Sequence, residues 1–143
     1  MTYLPDVNVW VALTSDRHVH HLPAKQWLDG IRSEPIAFCR ISELGFLRLL
    51  TNRHVMQNDV LGPIEAWKVY DDFRADPRVT FMPEPRDFGE HWRRAETEIS
   101  GGPSAWTDAY LAVFAKNTNA TVVTFDRGFK SVNGCDVIVL SQQ

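Results

Sequence analysis

Four acidic residues stand far apart in this chain, and each borders an apolar run or opens an apolar helix. They are Asp6, Glu43, Asp108 and Asp126. Carboxylates that are gathered in one place repel one another unless a cation lies between them. Mg²⁺ and Mn²⁺ prefer such hard oxygen ligands, and an ion of this kind activates water and stabilises charge on an attacked phosphate. The acids therefore predict a divalent-metal site for phosphodiester hydrolysis, provided that the fold brings them together.

Apolar runs alternate with helical patterns along the whole sequence, which indicates βαβ units and a parallel sheet. Strands are predicted at five places: a short strand ending at Leu4, then residues 36–41, 79–82, 120–125 and 136–140. Helices are predicted at residues 7–13, 23–31, from Ser42-Glu43 to Leu50, from Gly62-Pro63 to the stop at Pro77, 87–99 and 105–115. The predicted fold class is α/β.

The positions of the four acids in these elements predict that they meet. Crossovers between parallel strands are right-handed, so each helix begins at the edge of the sheet where the preceding strand ends. Sites in open α/β sheets form in the crevice outside the carboxyl ends of the strands. We therefore expect Asp6, Glu43, Asp108 and Asp126 on one rim of the sheet.

Five further residues are candidates for supporting roles. The amide of Asn8 is placed to orient a ligand or water, or else to cap a helix. Thr107 and Thr124 neighbour two of the acids and are expected to bond to the carboxylates or to support the turns. Arg48 and Arg127 lie nearest to the acids in sequence and are candidate RNA phosphate contacts, with a solvated arginine or a salt bridge as the alternative.

Each acid taken singly also has a structural interpretation. Asp6 is in position to cap the first helix, and Glu43 and Asp108 fall in first helical turns, where negative charge suits the helix dipole. Asp126 is followed by Arg127-Gly128, which is typical of an Asx turn. Four capping acids would have to converge on one rim by accident, so we favour the metal site.

Composition and charge fit one intracellular domain. The chain has 143 residues with a net charge of −3, which predicts a single domain over residues 1–143 and argues against a broadly basic nucleic-acid binder. Its start lacks the features of a signal peptide, and no apolar run is long enough to cross a membrane. Cys39 and Cys135 lie in apolar runs, as expected for small buried residues in a reducing cytoplasm.

Four segments of the chain together resemble PIN-domain ribonucleases, specifically the VapC-type toxins of bacterial toxin–antitoxin pairs. The matching segments are residues 6–10, 42–52, 106–112 and 124–129, in the order the family shows. The resemblance implies a PIN-like three-layer α/β/α fold with a central parallel sheet of four or five strands. It also implies a Mg²⁺- or Mn²⁺-dependent endoribonuclease with no covalent intermediate, whose metal site is Asp6, Glu43, Asp108 and Asp126. A homodimer and a cognate antitoxin are the implied partners.

Other functions fit less well. A catalytically silent PIN-like module that binds RNA or antitoxin is the main alternative, although the presence of all four acids argues against it. A phospho-acceptor receiver domain needs an adjacent acidic pair after the first strand and a lysine after the last, and neither is visible. The histidines of residues 18–21 lack a distant partner for a transition metal. Base stacking is one interpretation of Trp10, Trp92 and Trp106, but we favour a core role.

Overall fold

The computed structural model describes residues 1–95, 104–129 and 134–141, which form a parallel sheet covered by helices. The five strands are β1 (Thr2–Pro5), β2 (Ile36–Phe38), β3 (Val79–Phe81), β4 (Ala120–Thr124) and β5 (Asp136–Val139). The helices are α1 (Val7–Thr14), α2 (His21–Gly30), α3 (Arg40–Leu50), α4 (Arg53–Met56), α5 (Pro63–Arg74), α6 (Phe88–Ala95) and α7 (Ser104–Thr118). A short 3₁₀ helix (Gln57–Asp59) follows α4.

The strand order is β3-β2-β1-β4-β5, and every neighbouring pair is parallel. Leu4 of β1 lies opposite Val122 of β4, so these two strands form the centre of the sheet. All five residues of β4 are buried, as expected for a β-branched run that is covered on both faces. The predicted α/β class with a five-stranded parallel sheet is confirmed.

Alternation along the strands divides the apolar residues between two cores. Ile36 and Phe38 pack on one face of the sheet with the large rings of Trp10 and Phe46, beneath α1, α2, α3 and α5. Ala37 lies on the opposite face, beneath α6 and α7. Because successive side chains of a strand point to opposite faces, one short strand serves both cores. This arrangement gives the three layers α/β/α that the resemblance implied.

The boundary between β2 and α3 differs from the predicted one. The strand ends at Phe38, and α3 begins at Arg40, so the strand predicted through residue 41 is too long. The hydroxyl of Ser42 accepts a bond from the Cys39 amide at 3.0 Å and donates to the Cys39 carbonyl at 3.2 Å. This reciprocal capping stabilises a helix start at residues that are apolar enough to suggest a strand.

A short helix before α5 was not predicted from the sequence. Asn52 caps α4 by accepting a bond from the His54 amide at 2.9 Å, and the 3₁₀ turn follows directly. The segment has no amphipathic period, because one turn of helix is too short to display one. Of the predicted helix 87–99, residues 88–95 are helical, and residues 96–99 lie outside the described part of the chain. No helix in the described ranges is both long and apolar enough to cross a membrane.

Candidate active site

A cleft of about 430 Å³ lies outside the carboxyl ends of the central strands. Because β1 and β4 are neighbours while the chain leaves them toward opposite edges of the sheet, this is the point where α/β sheets form ligand sites. Asp6 directly follows β1, and Asp126 lies two residues beyond β4. The cleft is lined by Asp6, Val7, Asn8, Gly45, Arg48, Leu49, Asn52, Thr107, Asp108 and Asp126.

Asp6 is held rigidly at the floor of this cleft. Its side chain is only 8% exposed. One carboxylate oxygen, Oδ1, accepts the Val7 amide at 2.7 Å and thereby caps α1. The other, Oδ2, accepts the Thr124 hydroxyl at 3.1 Å. The capping interpretation of Asp6 is therefore correct, and it coexists with a position at the centre of the acidic cleft.

Thr124 links the two acids at the ends of β1 and β4. Besides donating to Asp6, its hydroxyl oxygen accepts the backbone N–H of Asp126 at 3.1 Å. Asp126 Oδ1 in turn accepts the Gly128 amide at 2.7 Å, which is the predicted Asx turn. Thr124 is fully buried. The predicted supporting role of Thr124 toward a neighbouring carboxylate is thus present in the structure.

The charge of Asp6 is poorly compensated by its surroundings. Burial raises the pKa of the Asp6 carboxyl, and the bonds from Thr124 and Val7 oppose that rise without cancelling it. The nearby charge of Asp126 raises the pKa further. The described part of the cleft thus brings together carboxylates whose mutual repulsion favours a bound cation or a proton.

Asp108 reaches the cleft from the N-terminal part of α7. The helix begins at Ser104, so Thr107 is its fourth residue and Asp108 its fifth, and Asp108 lies just beyond the first turn in which the sequence placed it. Both residues line the cleft, with Asp108 half-buried and Thr107 exposed. The positive end of the α7 dipole therefore points toward the acids of the cleft.

Glu43 lies outside the lining of this cleft. The residues of α3 that line it are Gly45, Arg48 and Leu49, whereas Glu43 is placed three and seven residues before Phe46 and Leu50, on the buried face of the helix. The four acids were expected on one rim, and the structure brings three of them into one cleft.

The Glu43 carboxylate has partners of its own. Its Oε1 atom accepts a hydrogen bond from Nη1 of Arg40 at 2.6 Å, and the residue is 7% exposed. Tyr70 of α5 also bonds to Glu43, and burial followed by this bond raises the pKa of the Tyr70 hydroxyl. Arg74 donates to the same hydroxyl at 3.1 Å. The charge of Glu43 is therefore compensated by a cation, whereas Asp6 accepts bonds from a hydroxyl and a backbone amide and faces a second acid.

The two candidate arginines differ in position. Arg48 lines the cleft and is exposed, as a residue that contacts phosphate must be. Arg127 is exposed next to Asp126 but does not line the cleft. Asn8 lines the cleft and is exposed as well. Of the five supporting candidates, Asn8, Thr107 and Arg48 therefore border the cleft directly.

Gly45 and Asn52 also border the cleft and were not selected from the sequence as site residues. A Cβ atom on Gly45 would lie 2.7 Å from Cγ2 of Val7, so the glycine allows α3 to approach α1 beside Asp6. A single glycine within a helical pattern was the available signal. Asn52 follows the end of α3, where its capping role gave no separate indication of a site.

The acids line one cleft, but their side chains do not surround a common point. Within residues 1–95, 104–129 and 134–141, no three His, Cys, Asp or Glu side chains are close enough to hold an ion together. The histidines of residues 18–21 have other contacts: His18 Nδ1 accepts the His20 amide, and His21 Nδ1 bonds to the Ala12 carbonyl. The oxygen donors of the cleft suit a hard divalent ion that keeps several waters.

Comparison with known proteins agrees with this geometry. The family model of the PIN domain matches residues 3–134, and the chain therefore belongs to the PIN domain family. It is 37% identical to Ribonuclease VapC41 of Mycobacterium tuberculosis over 144 residues, covering 97% of this chain and 99% of that relative. It is 46% identical to Ribonuclease VapC39 of the same organism over 128 residues, covering 88% and 89%. The resemblance to VapC-type PIN ribonucleases is confirmed.

Solved structures with the same fold come from toxin–antitoxin proteins. VapBC2 from Rickettsia felis, bound to a promoter DNA fragment, matches with a TM-score of 0.68 at 15% identity, covering 99% of this chain and 100% of that one. VapC20 of Mycobacterium tuberculosis, a sarcin–ricin loop cleaving toxin, matches with a TM-score of 0.62 at 16% identity, covering 91% and 98%. At these identities the likeness shows the fold.

Proposed function

We propose that this chain is a divalent-metal-dependent endoribonuclease and the toxin of a toxin–antitoxin pair. The observation that carries the proposal is the cleft at the switch point of the sheet, which Asp6, Asp108 and Asp126 all line. The VapC ribonucleases that the chain resembles over nearly its full length support the same activity. Cytoplasmic RNA is the expected substrate.

The oxygen donors of the cleft fit Mg²⁺ or Mn²⁺. Asp6, Asp108 and Asp126 would hold the ion, in part through water, and Glu43 completes the set by resemblance to the family. A bound ion would supply an activated water and stabilise negative charge on the attacked phosphate. For Glu43 to take part, its carboxylate must first leave Arg40.

The side chains around the acids have separate tasks in this proposal. Thr124 fixes the orientation of Asp6 and the turn that carries Asp126. Asn8 and Thr107 offer polar groups to water or to RNA oxygens, and Arg48 neutralises phosphate charge at the cleft, with Arg127 as a second contact outside it. Water attacks the phosphorus, the bond to the 3′ oxygen breaks, and that oxygen takes up a proton. The products carry 5′-phosphate and 3′-hydroxyl ends.

A cognate antitoxin and a second copy of the chain are the proposed protein partners. The acidic cleft would accept a basic side chain of the antitoxin, which would displace the ion. The homodimer is proposed from the resemblance to VapC-type toxins. Light scattering of the purified chain tests the dimer, and a monomer at all concentrations would contradict it.

The test of the activity is cleavage of total cellular RNA with Mg²⁺, with Mn²⁺ and with EDTA. We expect discrete products that need the metal, carry 5′-phosphate ends and vanish in the Asp108→Asn variant. Asp72→Asn is the matched control, because Asp72 is exposed on α5 and outside the cleft. Equal cleavage by Asp108→Asn would contradict the site, and 2′,3′-cyclic phosphate ends would contradict attack by water.

A catalytically silent binding module is the second candidate. The observation in its favour is the open arrangement of the acids, together with the engagement of Glu43 by Arg40. Calorimetric titration with Mg²⁺ and Mn²⁺ separates the two functions. Absence of metal binding, together with tight binding of RNA or antitoxin, would establish the binding module and remove the nuclease.

A further inference from the structure

Trp106 is a large aromatic residue that the fold leaves unusually exposed beside the cleft. It lies in the first turn of α7 and directly precedes Thr107 and Asp108, both of which line the cleft. Its side chain is 45% exposed. Consecutive Cα atoms are about 3.8 Å apart, and Trp106 is two residues from Asp108. The backbone that carries the indole therefore lies close to an acid of the site. Trp106 does not itself line the cleft, but nearly half of its surface is exposed next to two residues that do.

The ring of Trp106 is positioned by a row of aromatic contacts. It meets Trp92 of α6 at 5.9 Å with the ring planes 70° apart, and Trp92 meets Tyr110 at 5.5 Å and 73°. Tyr110 is fixed in turn by donating its hydroxyl hydrogen to Glu84 at 2.8 Å. The contact with Trp92 is nearly perpendicular, and 45% of the Trp106 surface stays exposed, so part of the ring is accessible to a flat ligand.

We propose that Trp106 is a base-stacking residue that binds an unpaired nucleotide of the RNA next to the scissile phosphate. This inference rests on the proposed ribonuclease function. Stacking on an aromatic face is the usual way in which proteins hold a splayed-out RNA base. Because Trp106 is fixed by Trp92, little side-chain freedom is lost when the base stacks.

Two exposed arginines are candidate phosphate contacts for such an RNA. Arg93 follows Trp92 on α6 and is exposed. Arg48 is exposed and lines the cleft. Both would contact phosphates of an RNA strand that stacks one base on Trp106.

Trp10 and Trp67 differ from Trp106 in burial or in position relative to the cleft. Trp10 is fully buried and stacks on Phe38 with ring centroids 3.9 Å apart, as the favoured core interpretation predicted. Trp67 is 48% exposed and meets Tyr70 at 5.7 Å in a T-shaped contact. It matches Trp106 in type, exposure and support, but its neighbours in sequence do not line the cleft. Trp67 is therefore the matched control.

The first experiment measures RNA affinity without cleavage. A short fluorescein-labelled single-stranded RNA of mixed sequence is titrated in Mg²⁺ with chains that carry Asp6→Asn, so that the RNA is not consumed. Adding Trp106→Leu should weaken the Kd about 5- to 20-fold, whereas Trp106→Phe should lose about half as much or less on a logarithmic scale. Trp67→Leu should change the Kd by less than about twofold, and the melting temperatures should agree.

The second experiment locates the stacked base. A single abasic residue is moved along the same RNA. At one position it should weaken binding by the chain with Trp106 but cause no further loss in Trp106→Leu, because both changes remove the same contact. Absence of any such position would overturn the proposal, and equal losses for Trp106→Leu and Trp106→Phe would assign the ring to packing.

Different results would overturn the stacking role of Trp106 and the proposed ribonuclease function. If wild-type cleavage depends on metal and Trp106→Leu binds and cleaves RNA like its parent, only the stacking role is overturned, and the exposed indole then belongs to a protein contact. If the wild-type chain neither cleaves nor binds RNA in Mg²⁺ or Mn²⁺, the ribonuclease function and the stacking role fall together.

Discussion

Asp6 and Glu43 are both buried carboxylates near the start of a helix that follows a strand, with 8% and 7% of their surfaces exposed. Their neighbours differ in charge. Asp6 accepts bonds from a hydroxyl and a backbone amide and faces the negative charge of Asp126. Glu43 accepts a guanidinium group of Arg40 at 2.6 Å and a bond from Tyr70.

This contrast shows that burial alone does not define a metal site. A buried carboxylate that already has a cation gains less from a second one, whereas a buried carboxylate beside another acid is stabilised by any cation that enters. If the cleft binds an ion as proposed, Asp6 can receive it directly, whereas the Glu43 carboxylate must first give up Arg40. The following predictions test this difference, starting from the largest effect.

Asp6→Asn is expected to have the largest effect on activity. Asparagine preserves the size of the side chain and can still cap α1, but it removes the negative charge at the floor of the cleft. Cleavage of RNA in Mg²⁺ should fall on the order of a thousandfold. Thermal melting should show that Mg²⁺ stabilises the wild type and leaves the variant unchanged. Retention of wild-type activity would remove Asp6 from the site.

Without metal, the same substitution is expected to raise the stability of the chain or to leave it unchanged. Because the folded-state pKa of Asp6 is raised, its contribution to stability is fully present below the usual aspartate pKa and is lost as the pH rises through the folded value. In EDTA at neutral pH, Asp6→Asn should therefore melt at a temperature equal to or above that of the wild type. The difference should shrink as the pH is lowered into the range where aspartate is protonated, and a constant difference would contradict this account.

Thr124→Val should have the next largest effect. Valine has nearly the shape of threonine but neither donates to Asp6 nor accepts the Asp126 amide. Loss of such an orienting residue typically lowers metal affinity or activity about 10- to 100-fold, and the unpaired polar groups should destabilise the fold by about 1–3 kcal/mol. Thr124→Ser keeps the hydroxyl and should retain both properties in cleavage and melting assays; similar losses in both variants would point to packing.

The acids that follow strands illustrate what the sequence could predict. Asp6 and Asp126 come directly after the apolar runs of β1 and β4, and the parallel topology then leaves little freedom in where they lie. Thr124 was inferred for the same reason. The fold class, the five strands and most helices followed from periodicity, because runs of buried residues have the same cause in the sequence and in the structure.

The direction in which the Glu43 side chain points could not be predicted from the apolar runs. It depends on the first residue of α3. Cys39 and Ile41, on either side of the charged Arg40, suggested a continuing strand until the capping by Ser42 was known. Each residue by which a helix start moves turns its side chains by about 100°. The partnership with Tyr70 also joins residues far apart in sequence, for which local patterns carry no signal.

Glu43→Gln should lower activity less than Asp6→Asn does. If Glu43 joins the ion only after leaving Arg40, part of its interaction with the ion is offset by the lost pair, and we expect a decrease of about tenfold in cleavage rate. The Mg²⁺ concentration for half-maximal cleavage should rise with it. A loss as large as that of Asp6→Asn would make Glu43 an equal ligand, and no change at all would make it a structural residue.

Arg40→Gln gives the smallest effect and distinguishes most sharply between these outcomes. Arg40 is 69% exposed, so its pair with Glu43 is worth less than about 1 kcal/mol and the melting temperature should change little. If Arg40 competes with the ion for Glu43, its removal should lower the Mg²⁺ requirement for cleavage by up to about fivefold. Arg74→Gln removes a nearby cation that bonds to Tyr70, and it should not lower the Mg²⁺ requirement.

In a Glu43→Gln background, the gain from Arg40→Gln should vanish, because the carboxylate over which Arg40 and the ion compete is absent. A gain that persists there would mean that Arg40 acts through the general charge of the cleft and not by competing with the ion for Glu43.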